Sequence, residues 1–358
     1  MAERSIRGPP ACQGGPMSAV AVPHSLEAVR AGWLNAALQH SHPGTEVVGV
    51  EVGDVIHGSL TKARLTVEFD ANPHRVPTTL YLKAAMEDHG IPVSMRPEAV
   101  FYDVARPEIE VTAPAVFAAL HDDTDGVVVM EDLDAAGATI TDPRTGWSVE
   151  LEADGLAQLA SLHAGWWGEG LVPGLPDFEG SNALGAVLME AGYWETCVDG
   201  PTGVHVPPAF RDRETTRPWV EALWRLDTER PRAFCHGDAH LGNTYVTADG
   251  GAGFLDWGGV KAGHWAREVC YFLAGALDIE DRRTHEAGLL RGYLDGLAAH
   301  GVDPVPSWDE AWLDYRRHCL HGLLWFLCPT QMQPLEIINA NVERFGTAVT
   351  DHEVHTLF

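Results

Sequence analysis

The chain has 358 residues, 45% hydrophobic and 21% charged, an ordinary globular balance with enough length for one large or two ordinary domains. Its 24 Lys and Arg stand against 51 Asp and Glu, a formal charge of −27, which argues against a nucleic-acid backbone or an anionic membrane as partner. No apolar run is long enough to cross a bilayer, and the six cysteines are scattered without a CxxC pair, as expected of free thiols in a reducing cytoplasm.

The first residues, MAERSIRGPPACQGGPMSAV, read as a loose tail over residues 1–22, with Met17 as an alternative start. Ser25 to Gln39 then has helical spacing, with Leu26, Val29, Trp33 and Leu34 on one face and Ser25 placed to cap it. Strand patterns follow in VVGVEVGDVI, ARLTVEFD and TTLYLKAAM, separated by Gly, Asn and Pro. Pro97 to Val104 reads as a short helix, and GVVVMEDL as a compact apolar strand running into acidic residues. Beyond about residue 150 the patterns are mostly helical, interrupted by a strand pair over 244–256. The expected class is therefore α+β, with a small β-rich N-terminal lobe over 23–132 and a larger helical lobe over 133–358.

That strand pair carries the chemistry. TYVT and GFLD flank the turn ADGGA, a hairpin signal that sets Asn243, before the first strand, beside Asp256 at the end of the second. An amide and a carboxylate oxygen side by side suit a hard cation such as Mg²⁺ that is completed by phosphates and water. Asp238, five residues before Asn243, is placed to accept a proton from a hydroxyl. D-x-x-x-x-N followed by a metal-binding Asp is the spacing of a phosphotransferase catalytic loop; the bland reading is a hairpin with solvated polar ends.

HGDAHLGN followed by FLDWGG resembles the aminoglycoside phosphotransferase and choline kinase group, relatives of protein kinases that phosphorylate small molecules. The resemblance implies a protein-kinase-like two-lobed fold, ATP and Mg²⁺ as cofactors, Asp238 as catalytic base, Asn243 and Asp256 as metal ligands, and His236 as a brace of the loop. It also implies a strand lysine on the phosphates. TTLYLKAAM supplies Lys83, one of only three lysines beside 21 arginines. Glu98, in PEAVFYDVA, resembles the helix glutamate that pairs with such a lysine. Gly58 and Ser59, at the bend of DVIHGSLTKARLTV, stand where a phosphate-covering loop belongs, although the G-x-G-x-x-G pattern is absent. VVVMEDL resembles the strand that meets adenine through main-chain groups near Glu131 and Leu133. C-terminal segments such as DEAWLDYRRHCLHGL and NVERFGTAVTDHE resemble the ecdysteroid-kinase-like branch.

The expectation is a cytoplasmic kinase for a hydroxyl of a small molecule, with no nucleic-acid or membrane partner and an undetermined oligomeric state. Alternatives are an aminoglycoside resistance kinase, a hydroxyacyl or lipid kinase, and a regulatory pseudokinase. His163, Trp166 and Trp167 read as core rather than as a cage for a cation, Cys235 as a buried structural thiol, and Glu280 to Arg283 as a solvated helix start.

Overall fold

The computed structural model describes residues 20–57, 60–87, 93–168 and 181–358. β1 (Glu46–Ile56), β2 (Thr61–Ala71), β3 (Thr79–Ala84), β4 (Val116–His121) and β5 (Gly126–Glu131) form one antiparallel sheet in the order β1-β2-β3-β5-β4. The period-two alternation of its strands gives each face its own core. Leu80, Leu82, Val127 and Val129 point to a cluster roofed by α1 (Ala31–Leu38), whose Leu34 and Leu38 are wholly buried. Val128 belongs instead to the large core of the helical region, and Lys83 is its register partner on that same face. Lys83 thus looks inward because Leu82 and Ala84 look outward to α1.

The helix that crosses the inner face is α2 (Arg96–Val100), which begins with Pro97 in its first turn and continues as a π-helical turn over Phe101–Ala105. Past β6 (Thr139–Ile140) come α3 (Val149–Gly165), α4 (Ser181–Leu188), α5 (Ala191–Asp199) and α6 (Arg213–Glu229). Next are β7 (Arg232–Cys235), the hairpin of β8 (Thr244–Val246) and β9 (Ala252–Phe254), and β10 (Lys261–His264). β10 returns antiparallel to β7, pairing Lys261 with Cys235, and so folds the intervening segment into a closed loop. The chain ends in α7 (Trp265–Ala276), α8 (Ile279–Ala299), α9 (Trp308–Phe326) and α10 (Leu335–Asp351). All twelve residues of α7 are buried, so this helix is the axle on which the loop is mounted.

Several elements differ from the sequence pattern. The single helix expected from Ser25 is split: a short 3-10 turn at Leu26–Ala28 is followed by Arg30 in extended conformation before α1 begins, and the Ser25 side chain caps nothing. Within α1 the Trp33 indole N–H donates to Ala21 O at 3.0 Å and ties the helix to the incoming chain. The second hairpin strand stops at Phe254, two residues short of Asp256. The start of α8 is not a solvated face throughout, because Arg282 is 1% exposed and its guanidinium donates to Glu286 Oε2 at 2.9 Å. Five cysteines are buried and unbridged, Cys235 among them, and Cys12 lies outside the described residues.

Candidate active site

Lys83 emerges from the middle of the sheet into a buried environment and is 5% exposed. Its ammonium donates to Glu98 Oε2 at 2.6 Å and to Asp256 Oδ1 at 2.7 Å. Glu98 comes from α2 and Asp256 from the hairpin, so one cation ties sheet, helix and hairpin together. Burial pushes the Lys83 pKa down, but the two carboxylates outweigh it and lift it above the ordinary lysine value. Asp256 is affected in the opposite sense. Burial raises its pKa, Lys83 and Lys62 more than offset that, and the group is held at about 2. Lys62 Nζ stands 3.7 Å from Asp256 Oδ2 and belongs to β2, directly opposite Lys83 in the ladder.

Asp256 adopts the left-handed conformation, with φ 64° and ψ 62°, which a strand cannot continue and which costs of order 1–3 kcal/mol away from glycine. Packing holds it there. The next residue, Trp257, is wholly buried, stacks on Phe101 at 4.0 Å between ring centroids, and lies 4.4 Å from the His236 ring. Phe101 directly follows α2, so the stack joins the backbone turn at Asp256 to the helix that carries Glu98.

The loop between β7 and the hairpin is braced at several points. His236, wholly buried, bonds Leu255 O through Nε2 at 3.0 Å and accepts the Asp238 N–H at Nδ1 at 3.3 Å. The carbonyl accepts only, so Nε2 carries the proton, and burial pulls the imidazole pKa down to keep the ring neutral. Gly237 has φ +86°, and a Cβ there would lie 1.8 Å from Gly259 O, so only glycine fits this bend. Asn243 Nδ2 donates to Asp238 O at 2.9 Å and to Asp238 Oδ2 at 3.0 Å. Both contacts use the amide nitrogen, which leaves Asn243 Oδ1 as the oxygen available to a cation. Across the hairpin Leu255 N–H donates to Asn243 O at 2.9 Å, which brings Asn243 alongside the residue before Asp256. An amide oxygen, an ionised carboxylate and a nearby second carboxylate form a donor set that fits Mg²⁺.

Two residues to which sequence reasoning gave no bracing role, Glu268 and His163, support the loop from behind. Glu268, 4% exposed on α7, accepts the N–H groups of His236 at 3.0 Å and Gly237 at 2.6 Å. His163 Nε2 bonds the same carboxylate at 2.8 Å, while its Nδ1 meets the Tyr293 hydroxyl at 2.7 Å. Burial raises the Glu268 pKa, but these hydrogen bonds and charges outweigh it and keep the group below the ordinary glutamate value. The available signal was a lone acid at the head of the otherwise apolar run VCYFLAGAL. His163 is indeed core, but as a hydrogen-bonded link rather than as apolar filling.

Glu131 N–H donates to Ala115 O at 2.8 Å and Leu133 O accepts the Ala138 N–H at 2.9 Å, so these main-chain atoms are engaged within the chain itself. Gly58 and Ser59 lie outside the described residues.

A family model described as a phosphotransferase enzyme family matches residues 86–303. Among solved structures, spectinomycin phosphotransferase in complex with ADP and spectinomycin superposes with a TM-score of 0.51 at 11% identity, over 92% of this chain and 99% of that one. Plasmodium vivax ethanolamine kinase gives 0.49 at 12% identity, over 86% and 83%. A choline/ethanolamine kinase family protein from Mesorhizobium loti gives 0.48 at 16% identity, over 85% and 90%. No curated protein sequence matches the chain. At these identities the likeness is one of fold, and the fold is kinase-like, an antiparallel sheet set against a mainly helical region.

Proposed function

Because the chain belongs to the phosphotransferase enzyme family, we propose that it transfers the γ-phosphoryl group of ATP to a hydroxyl of a small molecule, with Asp238, Asn243, Asp256, Lys83 and Glu98 as its working residues. The observation that carries this reading is the Lys83 ammonium held between Glu98 and Asp256 at 2.6 and 2.7 Å, with Asn243 bonded across the hairpin to Leu255, next to Asp256, and in turn to Asp238.

In this reading Asp238 orients the acceptor hydroxyl and takes its proton as the oxygen attacks the γ-phosphorus. The new bond joins that oxygen to phosphorus, and the bond to the bridging oxygen breaks, with ADP leaving with the electron pair. Lys83, oriented by Glu98, pairs with phosphate oxygens, and Asn243 and Asp256 hold Mg²⁺. Mg²⁺ bound there supplies charge neutralisation on the phosphates. The protein performs little covalent chemistry, so positioning and fixed charge provide most of the acceleration. Main-chain groups near Glu131 and Leu133 face the base, where the engaged atoms Glu131 N and Leu133 O narrow the choice; Gly58 and Ser59, expected at the phosphates, lie outside the described residues. The C-terminal segments support the ecdysteroid-kinase-like branch, and unbridged cysteines support a cytoplasmic setting. No helix among the described residues is long and apolar enough to cross a membrane.

The test is incubation of the wild type and Asp238→Asn with γ-labelled ATP, Mg²⁺ and a pool of hydroxylated metabolites, with products read by mass. Labelled product from the wild type alone supports the reading. Tight Mg-ATP binding with equal turnover in both proteins sinks the role given to Asp238, and tight binding with no turnover in either favours a regulatory nucleotide-binding protein.

A further inference from the structure

The whole chain has three lysines, and two of them, Lys62 on β2 and Lys83 on β3, are register partners on neighbouring strands. Partners across an antiparallel ladder put their side chains on one face, so two ammonium groups stand side by side where like charges repel. A shared carboxylate holds them there. Lys83 Nζ donates to Asp256 Oδ1 at 2.7 Å, and Lys62 Nζ stands 3.7 Å from Asp256 Oδ2. With Glu98 Oε2 2.6 Å from Lys83, two cations and two carboxylates balance one another within this quartet.

The two lysines are not equivalent. Lys83 is buried and fixed by two hydrogen bonds. The Lys62 side chain is 38% exposed, and its approach to Asp256 is an ion pair too long for a hydrogen bond. A part-exposed pair of this kind is weakly held, and a lysine on its flexible four-carbon stem moves at little cost. Because Lys83 occupies Oδ1, Oδ2 is the Asp256 oxygen left to serve a cation, and it is the oxygen that Lys62 faces. An ammonium and a metal ion repel each other at one carboxylate oxygen. Lys62 therefore has to leave Oδ2 when Asp256 takes up a metal, and the phosphates that complete the coordination of Mg²⁺ bring anions to the same place.

We propose that Lys62 is a second phosphate-binding lysine, which covers Asp256 Oδ2 in the empty site and passes to the metal-bound phosphates when Mg-nucleotide enters. The inference rests on the phosphotransferase reading above and adds to it a residue that has no role there. The hand-over keeps the Lys62 charge matched at both stages, first by a carboxylate and then by a phosphate. It also makes metal and nucleotide enter together, because a metal alone displaces Lys62 with no anion to receive it.

Titration calorimetry on the full chain tests the phosphate contact, with Mg²⁺ and the β,γ-imido analogue of ATP, and AMP for comparison. Lys62→Gln is expected to bind the analogue at least about tenfold more weakly and AMP as the wild type does, with Lys62→Arg recovering most of the loss. Mn²⁺ alone, followed by its paramagnetic resonance signal, tests the hand-over. Here the sign reverses: Lys62→Gln should bind Mn²⁺ at least about threefold more tightly than the wild type, since no ammonium competes for Asp256 Oδ2. A merely structural role would weaken both ligands. The proposal is overturned if Lys62→Gln binds the analogue as the wild type does, if AMP is weakened as much as the analogue, or if Mn²⁺ binding is unchanged or weaker in the variant. Should Lys62→Gln fail to fold, Lys62→Met, which keeps the length of the stem, decides in its place. Failure of the wild type to bind the analogue counts against the phosphotransferase reading, whereas binding that is equal in the wild type and the variants overturns this inference only.

Discussion

Lys83 Nζ and Asp256 Oδ1, 173 positions apart in the chain, lie 2.7 Å apart in the fold. The contact joins a sheet strand to the turn after a hairpin, and Glu98 completes it from a helix. Removing the cation leaves a fully buried glutamate without its partner. Lys83→Met should destabilise the fold by about 3–5 kcal/mol, and adding Glu98→Gln should recover part of that loss. Denaturant melts of the single and double variants measure it, and additive losses would show that the pair is not coupled.

Asp238→Asn should lower phosphoryl transfer by about 10²–10⁴-fold, the range expected when a general base is removed, while nucleotide affinity stays near the wild-type value. The Asn243 amide still finds Asp238 O, so the loop keeps one of its two bonds. Single-turnover kinetics beside nucleotide titrations separate the two effects.

Glu268→Gln exchanges a carboxylate that accepts two loop N–H groups and a histidine for a weaker acceptor with an unwanted donor. Hydrogen bonds to charged groups contribute about 1.5–3 kcal/mol, and a stability loss of that size is expected. Because the bonds position His236 and Gly237 rather than a substrate, kcat should fall more than nucleotide affinity changes. Steady-state kinetics at saturating nucleotide would show the split.

Lys261 predicts a pH dependence of stability with a definite sign. Burial, with Arg267 adding to it, lowers its pKa to about 8 from 10.5. Between those values the unfolded chain holds a proton that the folded chain has released, so stability rises as pH climbs from about 8 to 10.5, and the full penalty stands below 8. Lys261→Met should therefore stabilise the protein by about 3 kcal/mol at pH 7 and by little above pH 10.5. Melts of both proteins across that range provide the check, and a variant less stable at neutral pH would contradict it.

Gly237→Ala should destabilise the loop by at least about 1–3 kcal/mol, since φ is +86° and the new Cβ would meet Gly259 O at 1.8 Å. Activity should fall further than stability, because the residue next in line is Asp238. A fully active, fully stable alanine variant would mean that the loop takes another shape.

Local signals made much of this molecule legible from its residues. Alternating and β-branched runs marked β1, β2, β3 and β5, the ADGGA turn marked the β8–β9 hairpin, and the spacing of Asp238, Asn243 and Asp256 marked a candidate site. These depend on contacts between near neighbours, where periodicity and turn chemistry act directly. The tertiary structure alone decided which face of β3 carries Lys83, that Asp256 sits in a left-handed turn held by the Phe101–Trp257 stack, and that Glu268 and His163 brace the loop from behind. It also decided that Lys261 ends buried beside Gly237. Each of these rests on side chains brought together from distant segments, and their partners are chosen by packing and by the need to satisfy buried charge, which no local pattern in the chain encodes.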